Sequence, residues 1–244
     1  MAPIRVARRG WGVLAAWLVA AVVVAAFWNG WLVLPDRWNP WAPLWPQEAA
    51  NLLTPFKLHR LEHDRAACAA ALRATTLVTT PMPDRAVAGG CGWSDAVRVS
   101  ALPARVGTPF VLACPAAVAL AIWERHTVQP AALARFGQRV VALEHFGSYA
   151  CRDIGGGRSE GSERRSEHAT ANALDVAGFV LADGTTISVA RDWRGGADDD
   201  ARGRFLRDVH DGACAVWSVV LGPDYNPAHR DHFHLDRGPL HACR

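Results

Sequence analysis

The stretch "NPAHRDHFHLD", residues 226–236, sets His229, His232 and His234 within six positions, with Asp231 and Asp236 beside them. Imidazoles and carboxylates at this density bind metal ions or move protons. Phe233 and Leu235 alternate with the histidines, so this is not a surface tag. In an extended strand, positions i and i+2 share a face, which places His232 and His234 side by side.

A metal centre needs further ligands, and "SEHATANALDVAGF" offers His168 and Asp175. Seven residues apart on a helix, they would be separated by about 10.5 Å of rise, too far to share one ion. A turn through residues 169–172, followed by entry into the strand "ALDVAGF", brings them together. Asp175 lies between Leu174 and Val176 in that apolar strand, and burying its carboxylate without a cation is costly. Two imidazoles and one carboxylate, with a fourth position open, form a catalytic rather than a structural zinc arrangement. His168, Asp175 and His234 are therefore the expected ligands of one zinc per chain, with His232 beside the metal. The same donor set also suits mononuclear iron, a reading disfavoured in an oxidising exported compartment.

The elements that must position these residues point to an α+β domain. Helices are expected from Thr54 to about Arg73, from Pro115 through "AAVALAIWERHTV", and from Ala201 to Val220. "QRVVALEHF", "ALDVAGFVL", "TTISVARDW" and "HFHLD" read as strands of a small antiparallel sheet, with Asp183-Gly184 as a hairpin turn. "TPMPDRAVAGGCGW" and "RDIGGGRSEGSERRSE" read as loops. "ADDDAR" lacks the EF-hand spacing and reads as a turn capping the next helix. His59, His63, His126, His210 and His241 read as surface or satisfied core residues.

Residues 11–35 carry no charge and are long enough to cross a bilayer. Arg5, Arg8 and Arg9 precede them, which predicts a cytoplasmic segment at 1–10 and an exported remainder. The run is longer than a signal-peptide core and lacks a clean cleavage site, so an uncleaved single-pass inner-membrane anchor is expected. Residues 36–53, with several prolines and tryptophans, read as a stiff linker, and 54–244 as the exported domain in the periplasm. Cys68, Cys91, Cys114, Cys151, Cys214 and Cys243 form no C-x-x-C pair. An even count in an oxidising compartment implies up to three disulfides. Cys214 with Cys243 is the favoured pairing, because it ties the tail to the preceding helix. The net charge of +3 gives no footprint for nucleic acid.

"SEHATANALD" and "HRDHFHLD" resemble the S-x-H-x6-D and H-x-H motifs of the zinc D,D-carboxypeptidase, VanY-like and murein endopeptidase superfamily. "GSYACR", "RRSEHATANALDVAGF" and "GACAVWSVVLGPDYNPAHRDHFHLD" resemble, more closely still, the bacterial extensin-like C-terminal domain family. The likeness covers about Cys68 to Arg244. It implies a zinc peptidase-like fold, zinc on His168, Asp175 and His234, and peptidoglycan peptides as substrate. By position it implies catalytic roles for His232 and His229, support of the first ligand by Ser166, and pairing of Arg152 with a substrate carboxylate. The glycine usual in the S-x-H motif is Ala171 here, so the turn is expected to differ in detail. A different expectation is a non-catalytic wall-binding protein that retains the fold and a structural metal.

Overall fold

The computed structural model of the chain describes residues 9–155, 165–193 and 200–244. Among these described residues, seven α-helices run in the order α1 (Arg9–Trp28), α2 (Thr54–Leu61), α3 (Arg65–Arg73), α4 (Cys114–Trp123), α5 (Gln129–Phe136), α6 (Val189–Asp192) and α7 (Ala201–Ala213). The strands are β1 (Val78–Pro81), β2 (Arg85–Ala88), β3 (Cys91–Trp93), β4 (Ala96–Ala101), β5 (Arg105–Ala113), β6 (Val140–Gly147), β7 (Ala173–Leu181), β8 (Thr186–Ser188), β9 (Val219–Leu221), β10 (Phe233–Asp236) and β11 (Ala242–Cys243). The domain is α+β, as expected.

The sheet is neither small nor wholly antiparallel. Nine strands run in the order β1-β4-β5-β6-β7-β10-β9-β11, with β8 also on β7. β5–β6 and β9–β11 are parallel. The first departure follows from α4 and α5, which form the crossover that parallel neighbours require. Pro115 begins no new helix at its own position. It sits in the first turn of α4, which opens one residue earlier.

Other boundaries moved for local reasons. The expected 54–73 helix is two, because Asp64 leaves helical geometry and accepts the Ala67 N–H at 2.9 Å to cap α3. The helix from Ala201 stops at Ala213, and Val219 and Val220 belong to β9. The apolar run from 11 stays helical only to Trp28, ahead of Asn29 and Gly30 (φ 70°), a stop that glycine favours. "TPMPDRAVAGGCGW" holds a hairpin of β2 and β3. Its turn is Gly89-Gly90, both at positive φ, as a two-residue hairpin demands. "TTISVARDW" is strand only through Ser188 and then turns into α6.

The Trp11–Trp28 window is long and apolar enough to cross a membrane. Arg5 and Arg8, the first residues of "ADDDAR" (197–199) and most of the loop "RDIGGGRSEGSERRSE" (156–164) lie outside the described residues. Asp200 caps α7 through the Arg202 N–H. Arg165 is structural: it binds Asp153 Oδ1 at 2.6 Å and the Gly89 carbonyl at 2.8 Å.

The core surrounds α4, all of whose residues are buried, including Leu120 and Trp123, with Phe179, Phe205, Phe233 and Leu235 packed about it. Trp123 also donates its Nε1–H to the Val209 carbonyl at 2.8 Å, pinning α4 to α7. All six cysteines are paired, as Cys68–Cys114, Cys91–Cys151 and Cys214–Cys243. The last is the expected pair, and it fastens β11 beside β9. Cys91–Cys151 joins the β2–β3 hairpin to the segment just before the candidate site.

Candidate metal centre

β7 and β10 are antiparallel neighbours, and His234 lies directly opposite Asp175 in their register. Cross-strand partners project to one face, so pairing alone delivers two of the three groups. Both faces of β10 are buried: Phe233 and Leu235 enter the core while His234 faces the site. His168 arrives on a 3-10 turn, Glu167–Thr170, that ends at Ala171 in a left-handed conformation (φ 55°, ψ 29°). That reversal feeds the chain straight into β7. A non-glycine residue there costs roughly 1–2 kcal/mol, and the turn forms with alanine nonetheless. Ser166 caps the turn, its Oγ accepting the His168 N–H at 3.4 Å.

Three atoms converge. His168 Nε2 lies 3.1 Å from Asp175 Oδ1 and 3.1 Å from His234 Nδ1, which is 3.0 Å from the same carboxylate oxygen. The far side of each ring decides what these contacts mean. His168 Nδ1–H donates to the Ser148 carbonyl at 3.0 Å, and His234 Nε2–H donates to Asp236 Oδ2 at 2.9 Å. A neutral imidazole carries one N–H, so both inward nitrogens present lone pairs. Two lone pairs and a carboxylate cannot bond to one another; a cation, or an added proton on one ring, would reconcile them. Donors about 2.0–2.2 Å from a tetrahedral zinc lie roughly 3.3 Å apart, close to the spacing here.

Electrostatics describes the same centre with a proton in place of the ion. Burial alone would raise Asp175, but the hydrogen bonds and charges of His168 and His234 outweigh it and hold the carboxyl far below its usual range. Burial disfavours a charged His234, yet Asp175 and Asp236 push it up to about 9. Without a metal, these carboxylates favour a proton on His234, which a zinc ion binding there would have to displace. At pH 7 zinc uptake should release about one proton per ion, falling away above pH 9, while the already ionised Asp175 contributes none. Titration calorimetry in buffers of different ionisation enthalpy measures this, and uptake at pH 7 without proton release would refute it.

Asp236 and Ser148 were not singled out by motif. Asp236 Oδ1 accepts the Gly238 N–H at 2.8 Å while Oδ2 takes the His234 N–H. Such outer partners fix the tautomer and orientation of a ligating imidazole. The sequence signal was Asp236 at i+2 from His234. Asp236→Asn sets an amide donor against one of these two N–H groups. It should weaken zinc binding about 10- to 100-fold, read by competition with a chromogenic chelator; unchanged affinity counts against the role.

His232 stands just before β10 rather than in it. Its Nδ1–H donates to Asp231 Oδ1 at 2.9 Å, and its Nε2 lies 3.6 Å from Asp175 Oδ1. It does not join the mutually close trio. His229 ends a 3-10 turn, with Nδ1 2.8 Å from Asn226 Oδ1 and its ring 5.3 Å from that of His232. Burial, then the charges of His234 and His232, push it down to about 4, and the Arg152 guanidinium adds to the fall. The Arg152 carbonyl accepts the Ser166 N–H. Two exposed aromatics flank the pair, Phe146 against His232 and Tyr225 against His229.

Two further groupings are weaker. Cys68 and Cys114 near Asp95 are consumed by their disulfide. His59, Glu62 and His63 are exposed, and Glu62 is already held by Arg237. His210 is a satisfied core residue, bonded to Asp211 and the Arg244 carbonyl.

Residues 66–244 match the family described as "Extensin-like protein C-terminus". No curated protein and no solved structure matches the chain.

Proposed function

The chain belongs to the extensin-like C-terminal family, and from its buried trio we propose that it is a zinc-dependent peptidase, anchored in the inner membrane, acting on peptidoglycan peptides in the periplasm. The observation that carries this reading is the meeting of His168 Nε2, Asp175 Oδ1 and His234 Nδ1, three acceptors within 3.1 Å of one another. Zinc, when bound, supplies a Lewis acid that activates water and polarises a carbonyl. The chain supplies the rest. His232, oriented by Asp231, presents Nε2 to the open side, where it takes a proton from the attacking water. His229, kept neutral, offers a hydrogen bond to substrate. Arg152 pairs with a substrate carboxylate. The resemblance of "SEHATANALD" and "HRDHFHLD" to zinc D,D-peptidase motifs supports peptide bonds adjoining D-amino acids as the target.

The test is incubation of the full-length protein with purified muropeptides, with and without a chelator. Cleavage that stops with chelator and returns with zinc is the expected result. Retention on insoluble wall without any cleavage would replace this reading with that of a wall-binding protein.

A further inference from the structure

Residues 36–50 do not hang free between α1 and the domain. Lys57, buried on α2, donates through Nζ to the carbonyls of Asp36 (2.7 Å) and Pro43 (3.2 Å). Arg60 Nη1 reaches the Pro40 carbonyl at 2.8 Å, and Asn51 Nδ2 the Arg37 carbonyl at 2.8 Å. Farther along, His126 meets the Pro46 carbonyl at 3.0 Å, and Gln47 bonds the Ala74 carbonyl. A buried lysine spent on backbone carbonyls is costly unless the segment is held in place. These residues are part of the domain's surface.

That surface is apolar where it should not be for water. Trp41 is 71 % exposed and Leu52 92 %. Phe56, on the first turn of α2, is 41 % exposed and packs edge-on against Trp41 at 5.9 Å. Trp31, Trp38 and Trp45 are exposed as well. Cations are interleaved: the Arg60 guanidinium sits 5.5 Å over Trp41, and Arg37 5.2 Å over Trp38. Tryptophan with arginine is the composition of a bilayer–water boundary, and arginine suits anionic headgroups. Chain length sets the distance. From Trp28 to Asp36 the backbone spans at most about 28 Å even when fully extended, so if α1 crosses the bilayer, α2 is held close to it.

We infer that the face built from residues 31–45 and the start of α2 is seated in the headgroup region of an anionic bilayer, fixing the domain against the membrane instead of tethering it at a distance. This rests on α1 spanning the bilayer. It adds a second membrane contact belonging to the folded domain, which makes the domain's orientation to the membrane a fixed property of the molecule.

Hydroxyl-radical footprinting tests it on the full-length protein in vesicles of phosphatidylethanolamine and phosphatidylglycerol, with radicals generated on both sides. Phe146, itself 62 % exposed, calibrates the reactivity of a phenyl ring in water. If seated, Phe56 should be oxidised about tenfold less than Phe146, since rings sunk roughly 5–10 Å into the boundary are withdrawn from water. Trp41 and Leu52 should fall with it, and Trp17 of α1 should be silent. Protection of Trp17 with Phe56, Trp41 and Leu52 reacting in proportion to their exposure overturns the seat and leaves the anchor standing. Reactive Trp17 overturns both.

Discussion

His234→Ala and Asp175→Ala should each lose stoichiometric zinc, from about one ion per chain to a small fraction, and hydrolysis of muropeptides should disappear with it. Three protein ligands hold the ion in a catalytic zinc site. Removing an outer partner alone costs about 10- to 100-fold in affinity, and removing a ligand should cost more. The two variants differ in what they leave behind. Asp175→Ala strips one of the two carboxylates that raise His234 to about 9, and with it the only anionic donor of the trio. His234→Ala leaves Asp236 buried without its imidazole partner, a loss of about 1–3 kcal/mol for an unsatisfied buried group and more for a charged one. Asp175→Asn keeps the volume and removes the charge, and so separates lost ligation from lost packing. His241→Ala, in the exposed tail, and His63→Ala, in the exposed α2 grouping, should keep full zinc. Elemental analysis beside circular dichroism on the same preparations reads the result. Full zinc in both ligand variants would sink the assignment.

The site was legible because its logic is local in sequence even where it is distant in chain. Asp175 inside an apolar strand and histidines alternating with Phe233 and Leu235 each ask for a buried polar partner, and the same partner answers both. The turn that unites His168 with Asp175 could be argued from distance alone, since helical rise kept them apart. Its cost was only hinted at: the glycine usual at this position of the motif suits a left-handed turn, and Ala171 adopts that conformation because the surrounding chain imposes it. Asp236 was visible yet unranked, since its bond to His234 depends on a ring orientation that only the packed strand pair decides.

The fold was legible in class and less so in extent. Periodicity found "ALDVAGFVL" and "HFHLD" because each is apolar on one face at least. It missed β1 to β5: β2 is wholly exposed and β3 only three residues long, though Gly89-Gly90 marked their turn, and β4 and β5 went unread although both are partly buried. It overran at Ala213 because "CAVWSVVL" stays apolar across a change from helix to strand, and burial demands apolar residues of either. The parallel β5–β6 pairing depends on a crossover of two helices, which no window of sequence contains. The docking of residues 36–50 was hidden for a related reason. Proline and tryptophan signal a stiff segment, but the bonds that hold it come from Lys57 and Arg60 of α2, whose targets are backbone carbonyls that carry no mark in the sequence.

His232 is the residue on which the proposed chemistry turns. Its Nε2 lies near Asp175 yet outside the three-atom set, and its Nδ1–H is committed to Asp231. A base whose second nitrogen is held by a carboxylate has a fixed tautomer and a fixed aim. His232→Ala should therefore keep zinc near one per chain and keep the fold, but lose about 10²- to 10⁴-fold in turnover, the usual worth of general acid–base help. His229→Ala should lose less and raise KM more than it lowers kcat, the pattern of an interaction made equally in ground and transition states. Asp231→Asn should fall between, because it frees the ring without removing it. Zinc content and kinetics on the same samples separate the cases. If His232→Ala loses zinc as completely as His234→Ala, then His232 is a ligand and the open position lies elsewhere; if it keeps both zinc and full turnover, the proton has another acceptor and the role passes to His229.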